Sequence, residues 1–148
     1  MIRSTLLRIL LLAAAVGVLT AATPQPMLTF QSVFAGVAAD RQHCMWEGVV
    51  DGAVRGRLTI ALRQVGEPAA AANPVWHVAS RWTVSDNAGA RSFAANLEGM
   101  VDWKAGTTRL AGVVTDGWLR GSWVELDGRI VNGDLVGSLS ILPALATP

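Results

Sequence analysis

Residues 75–103 read VWHVASRWTVSDNAGARSFAANLEGMVDW. Trp76, Val78, Ser80, Trp82 and Val84 fall on one side of an extended chain, and the intervening residues, His77 among them, fall on the other. After the turn-forming run Asp86–Gly89, the residues Phe93, Ala95, Leu97, Gly99, Val101 and Trp103 alternate with Asn96, Glu98 and Asp102. A period of two with one dry and one wet face marks a half-buried β-strand, whereas an amphipathic helix repeats its apolar residues roughly every three to four positions.

The pattern extends in both directions. Between Val54 and Val65, Val54, Gly56, Leu58, Ile60 and Leu62 share a face opposed by Arg55, Arg57, Thr59, Ala61 and Arg63. Towards the C-terminus, Leu135, Gly137, Leu139 and Ile141 alternate with Val136, Ser138 and Ser140. Turn signals punctuate these runs at Asp51-Gly52, Lys104-Ala105-Gly106, Asp116-Gly117 and Asn132-Gly133-Asp134, with a longer Ala/Pro-rich loop from Glu67 to Pro74. With a weaker first strand around Met27–Phe34, about eight strands result. The expected architecture is all-β, a single antiparallel, mostly up-and-down β-barrel of about eight strands; a two-layer β-sandwich is the alternative.

Three hairpins set expected registers. A loop at Asp51–Ala53 puts Val50 opposite Val54, Trp46 opposite Leu58 and Glu47 opposite Arg57. A loop at Lys104–Thr107 puts Trp103 opposite Thr108, Val101 opposite Leu110 and Asp102 opposite Arg109. A turn within Val131–Asp134 puts Ile130 opposite Leu135, Leu126 opposite Leu139 and Asp127 opposite Ser138. These registers pair Gly48 with Gly56, Gly99 with Gly112 and Gly128 with Gly137, which suits a tightly coiled sheet. A change of parity near Gly121 suggests a bulge there.

The chain has 148 residues, 51% apolar and 16% charged, which suits one globular domain and argues against disorder. One cysteine permits neither an internal disulfide nor a multi-cysteine metal knot. Residues 1–22 have the plan of a secretory signal peptide: Arg3 and Arg8, an apolar run from Ile9 to Leu19, then small residues at Thr20-Ala21-Ala22. The apolar stretch is shorter than the ~20 residues a spanning helix needs. Cleavage after Ala22 takes 22 of the 148 residues, leaves a domain at 23–148, and moves the formal charge from +1 to −1. The expected location is therefore secreted or periplasmic. Nucleic acid, which selects for a marked basic excess, is not an expected partner. A membrane is not an expected partner once the leader is gone, and the sequence carries no signal for oligomeric state.

The C-terminal half contains LEG at 97–99, DWKAG at 102–106, LAGVVTDGWLRG at 110–121 and SILPA at 140–144. Over residues 93–144 it resembles small secreted bacterial β-barrel-like proteins with no assigned activity, and the resemblance brings no catalytic residue with it.

Each chemical candidate has a plain structural reading beside it. His43, Cys44 and Glu47, with Asp40 nearby, are metal-ligand types, but His43 and Glu47 stand about 13 Å apart on a strand, and Cys44 falls on the dry face. His77 lies on a wet face without a serine or acid beside it. Glu125 and Asp127 share a face about 7 Å apart, a glycosidase-like spacing that is also ordinary for a solvated strand. Arg55, Arg57 and Arg63 form a basic stripe, a solvated face partly neutralised by Glu47 or an anion site. No residue is assigned a catalytic or metal-binding role, and no cofactor is implied.

The tryptophans are the sharper signal. Trp46, Trp76, Trp82 and Trp103 lie on dry faces with Ser80 among them. They either fill a small barrel or line a pocket for a small apolar ligand, with Ser80 as its polar handle. Trp118 lies in a turn with an exposed position expected, and the face of Trp123 is left open. The expected function is a non-catalytic binding or interaction module. The alternatives are an enzyme with acid and base on separate strands, and an eight-stranded outer-membrane barrel, whose lack of tyrosine girdles counts against it.

Overall fold

The structure is a computed structural model that describes residues 25–66 and 73–144. The signal peptide expected at 1–22 and most of the Ala/Pro-rich loop lie outside the described residues. Eight strands follow one another: β1 (Met27–Val37), β2 (Cys44–Gly52), β3 (Gly56–Gln64), β4 (Val75–Asp86), β5 (Phe93–Asp102), β6 (Thr107–Gly117), β7 (Trp123–Val131) and β8 (Asp134–Leu142). Each pairs antiparallel with the next, and β8 returns to β1 with Leu28 opposite Leu139 and Phe30 opposite Gly137. That last ladder closes an up-and-down barrel and removes the sandwich alternative, because no free edge remains to separate two layers.

The predicted dry faces point inward. Leu58, Ile60, Val78, Trp82, Leu97, Leu126, Leu139 and Ile141 are all fully buried, while Arg57, Arg63, Arg81, Glu98, Arg109 and Asp127 lie exposed outside. The middle of the barrel is filled. Phe30 and Trp82 meet edge to face with ring centroids 5.0 Å apart, a contact worth about 0.5–1.5 kcal/mol beyond area burial. Trp82 Nε1 donates to Ser80 Oγ at 2.9 Å, and Ser80 Oγ donates to the Leu97 carbonyl at 3.1 Å, so both buried polar groups are satisfied.

One of the three expected registers is observed. Asn132 and Gly133 both adopt positive φ and form a two-residue turn, setting Ile130 against Leu135, Asp127 against Ser138 and Gly128 against Gly137. The other two differ by two residues. At β2–β3, Asp51 and Gly52 stay laddered to β1 and the connection runs through Ala53–Arg55. Val50 therefore meets Gly56, Trp46 meets Ile60, Glu47 meets Thr59, and Gly48 meets Leu58. At β5–β6, Asp102 Oδ1 accepts from the amides of Lys104 and Ala105, closing a four-residue turn that sets Asp102 against Thr107. Gly99 therefore faces Leu110, and Gly112 faces Leu97.

The parity change expected as a bulge at Gly121 is taken up in the turn Trp118–Gly121, where Leu119 and Gly121 have positive φ. The register shifts occur instead between Phe34 and Gly36 on β1, and between Ala94 and Ala95 on β5 opposite β6. Trp118 is half-buried rather than exposed. It packs on Phe93 at 6.2 Å, and the Arg91 guanidinium lies 5.3 Å from its ring centroid. With Val54 and Leu119, these residues stopper the barrel end formed by the β2–β3, β4–β5 and β6–β7 connections. Trp123 lies on the outer face, paired between Val113 and Leu142.

Candidate functional site: a tryptophan-lined mouth

The opposite end is built differently. The β1–β2, β5–β6 and β7–β8 connections lie there with the end of β3 and the start of β4, and among the described residues Phe34, Trp46, Trp76 and Trp103 gather at this end. Trp46, near the start of β2, is 3% exposed, and its Nε1 donates to the Gly133 carbonyl at 2.9 Å, tying the β7–β8 turn to the wall. Phe34 packs edge to face on Trp46 at 5.3 Å and keeps 48% of its surface exposed, because the β1 bulge follows immediately. Trp76, near the start of β4, meets Trp103 edge to face at 5.3 Å. Trp103 opens the β5–β6 turn, and its amide donates to the Pro74 carbonyl at 2.8 Å.

Phe34, Cys44, Trp46, Trp76, Trp103 and the Asn132-Gly133 turn line a recess of about 400 Å³. That volume lies within the range of about 300–1,000 Å³ typical of small-molecule sites. The lining has no acid and no histidine, and Cys44 is the titratable side chain in it. One atom stands out. Trp103 Nε1 is buried and has no hydrogen-bond acceptor among the described residues.

Of the five pocket residues expected from the sequence, Trp46, Trp76 and Trp103 are brought together at this mouth. Ser80 and Trp82 are not; they bond to each other deeper in the filled interior. Sequence reasoning missed Phe34 and the Asn132-Gly133 turn. Phe34 continues the inward alternation of Leu28, Phe30 and Ser32, so its signal was present.

The other candidates are placed apart from the recess. No group of three metal-ligating side chains forms among the described residues. His43 Nδ1 lies 2.5 Å from Asp40 Oδ2, within the β1–β2 connection. His77 Nε2 stands 3.7 Å from Glu98 on the outer face, both side chains well exposed. Asp127 is engaged by Arg109 at 3.0 Å, and with Glu125, Glu98 and Arg109 it lines a separate outer-wall recess of about 340 Å³. Arg55 belongs to the β2–β3 connection and pairs with Asp51 at 2.7 Å, leaving Arg57 and Arg63 as the outward basic residues of β3.

The Asp40 carboxylate accepts the amides of Gln42 and His43 as well as the His43 ring. These contacts, the Gln42 amide foremost, hold its pKa below the ordinary carboxylate value. A depressed carboxyl adds order to the loop above the ordinary value and loses it as pH falls through the lowered one. In an NMR titration the Asp40 carboxyl carbon is expected to turn below an ordinary aspartate, with the Gln42 and His43 amide shifts following it. A midpoint at or above the ordinary value refutes the loop geometry.

Comparison with protein-family models, with curated proteins and with solved structures finds no match to this chain.

Proposed function

We propose that this chain is an exported, non-catalytic binding module whose tryptophan-lined mouth takes a small apolar ligand. The observation that carries the reading is the asymmetry of the two ends. One is stoppered by Phe93, Trp118 and Leu119, while the other keeps an aromatic recess of about 400 Å³ with Phe34 half-exposed at its rim. Concave sites lined by aromatic side chains with few polar groups are the usual form of a small-molecule site. Export rests on the leader pattern at residues 1–22. A lipid-embedded barrel is disfavoured by the distribution of charge, since Arg57, Arg63, Arg81, Glu98, Arg109 and Asp127 are exposed outside while the interior is apolar.

Calorimetric titration of the mature protein with ethylnaphthalene tests the reading. Saturable binding at one site is expected. Trp76→Ala, which removes a wall of the recess without opening the barrel's middle, is expected to weaken it by about tenfold or more. Absence of saturable binding, or unchanged affinity in the variant, rejects the mouth as the site.

A further inference from the structure

Three inward-facing tryptophans show how this barrel treats an indole N–H. Trp46 Nε1 donates to the Gly133 carbonyl and Trp82 Nε1 donates to Ser80 Oγ, each at 2.9 Å. Trp103 Nε1 is buried and donates to nothing among the described residues. Buried donors are paired in the large majority of cases, and leaving one unpaired costs about 1–3 kcal/mol. A phenylalanine at this position would build the same aromatic wall against Trp76 without that cost. An acceptor brought into the recess beside Trp103 would relieve that cost.

We propose that the ligand of the mouth is an aromatic molecule bearing a neutral carbonyl oxygen, and that this oxygen accepts a hydrogen bond from Trp103 Nε1; the inference rests on the mouth being the binding site. The aromatic body follows from the walls, where Trp46, Trp76 and Phe34 offer ring edges and faces for offset or edge-on packing. Neutrality follows from the lining, which contains no cationic side chain. A carboxylate seated there would lose its hydration without gaining a counter-charge, whereas a carbonyl needs only one donor. Access follows from the placement of Trp103 in the β5–β6 turn rather than within a ladder. Trp103 itself lines the recess beside Trp76, and a turn residue can rotate its ring to present the N–H there without breaking a strand pairing.

The test uses two ligands of matched size, methyl naphthyl ketone and ethylnaphthalene, titrated against the mature protein and against Trp103→Phe. In the natural protein the ketone is expected to bind about three- to tenfold tighter than the hydrocarbon, the worth of one hydrogen bond formed by a previously unpaired donor. In Trp103→Phe the preference disappears: the ratio of the two affinities falls to about one, whatever the smaller ring does to both affinities together. The carbonyl stretch of the bound ketone, shifted to lower frequency in the natural protein, returns towards its apolar-solvent value in the variant. Equal affinities in the natural protein, or a preference and frequency shift that survive Trp103→Phe, overturn the inference while leaving the mouth as a binding site. Failure of the hydrocarbon and the ketone alike to bind removes the mouth itself, and the inference with it. Trp76→Phe, which keeps an aromatic wall and leaves Trp103 in place, retains the ketone preference; its loss there would assign the effect to packing and overturn the proposal.

Discussion

Trp82→Ala is expected to remove about 3–5 kcal/mol of unfolding free energy, measured by urea denaturation of the chain. The side chain is fully buried at the middle of the barrel and packs edge to face on Phe30. Its loss forfeits the transfer free energy of an indole and leaves a space that eight laddered strands cannot collapse to fill. Against a typical total stability of about 5–15 kcal/mol, such a loss brings the variant close to unfolding. Trp123→Ala is the control. That ring is 46% exposed on the outer wall, and its removal is expected to cost less than about 1 kcal/mol. Equal losses at the two positions would mean that the interior is not packed around Trp82.

Gly112→Ala is the second large effect, and it acts through the backbone. A β-carbon built at Gly112 would lie 1.9 Å from the Asn96 carbonyl oxygen and 3.0 Å from Leu97 Cα on the adjacent strand. Relief requires β5 and β6 to part in the middle of their ladder, a strain of about 3 kcal/mol or more, at the upper end of what overpacked cores show. Gly128→Ala is expected to be milder, at about 1 kcal/mol, because the nearest obstacle there is the Thr108 methyl at 2.7 Å rather than backbone. Thermal melts of the two variants check the order. A Gly112→Ala protein as stable as the parent would show that the strands do not approach so closely.

These glycines also show how far the sequence could be read. Strand count, dry faces and class of fold were legible because a period of two is local, and each of the eight runs carries it independently. Closure was inferable from the number of strands but not their register, which depends on turn chemistry. Asn132-Gly133 is a strong two-residue hairpin signal, and its register was read correctly. The connection after Asp51 is set by continued pairing of Gly52 with Leu28, and the one after Asp102 by a carboxylate capping two amides. Neither is written in the alternation. The expected glycine pairs failed at two of three places for the same reason. A single inward glycine facing a leucine, as at Gly99 and Leu110, serves close approach as well as a pair does.

The candidate mouth was legible in part. Alternation put Trp46, Trp76, Trp82 and Trp103 on the inside, but it carries no information on depth along the barrel axis. Strand ends fix that depth. Trp76 and Trp46 stand near the starts of β4 and β2 and Trp103 just beyond β5, whereas Trp82 is mid-strand. Tryptophans equivalent by parity therefore divide into one that fills the core and three that line the open end.

That division yields the most direct test. The indole N–H groups of the six tryptophans give separate proton–nitrogen correlations, so titration of the labelled mature protein with ethylnaphthalene reports on every one at once. The proposed mouth site predicts saturable shifts at Trp46, Trp76 and Trp103, with Trp82, Trp118 and Trp123 unmoved. Shifts centred on the outer-face Trp123, or no saturable shift at any of the three mouth residues, would contradict it.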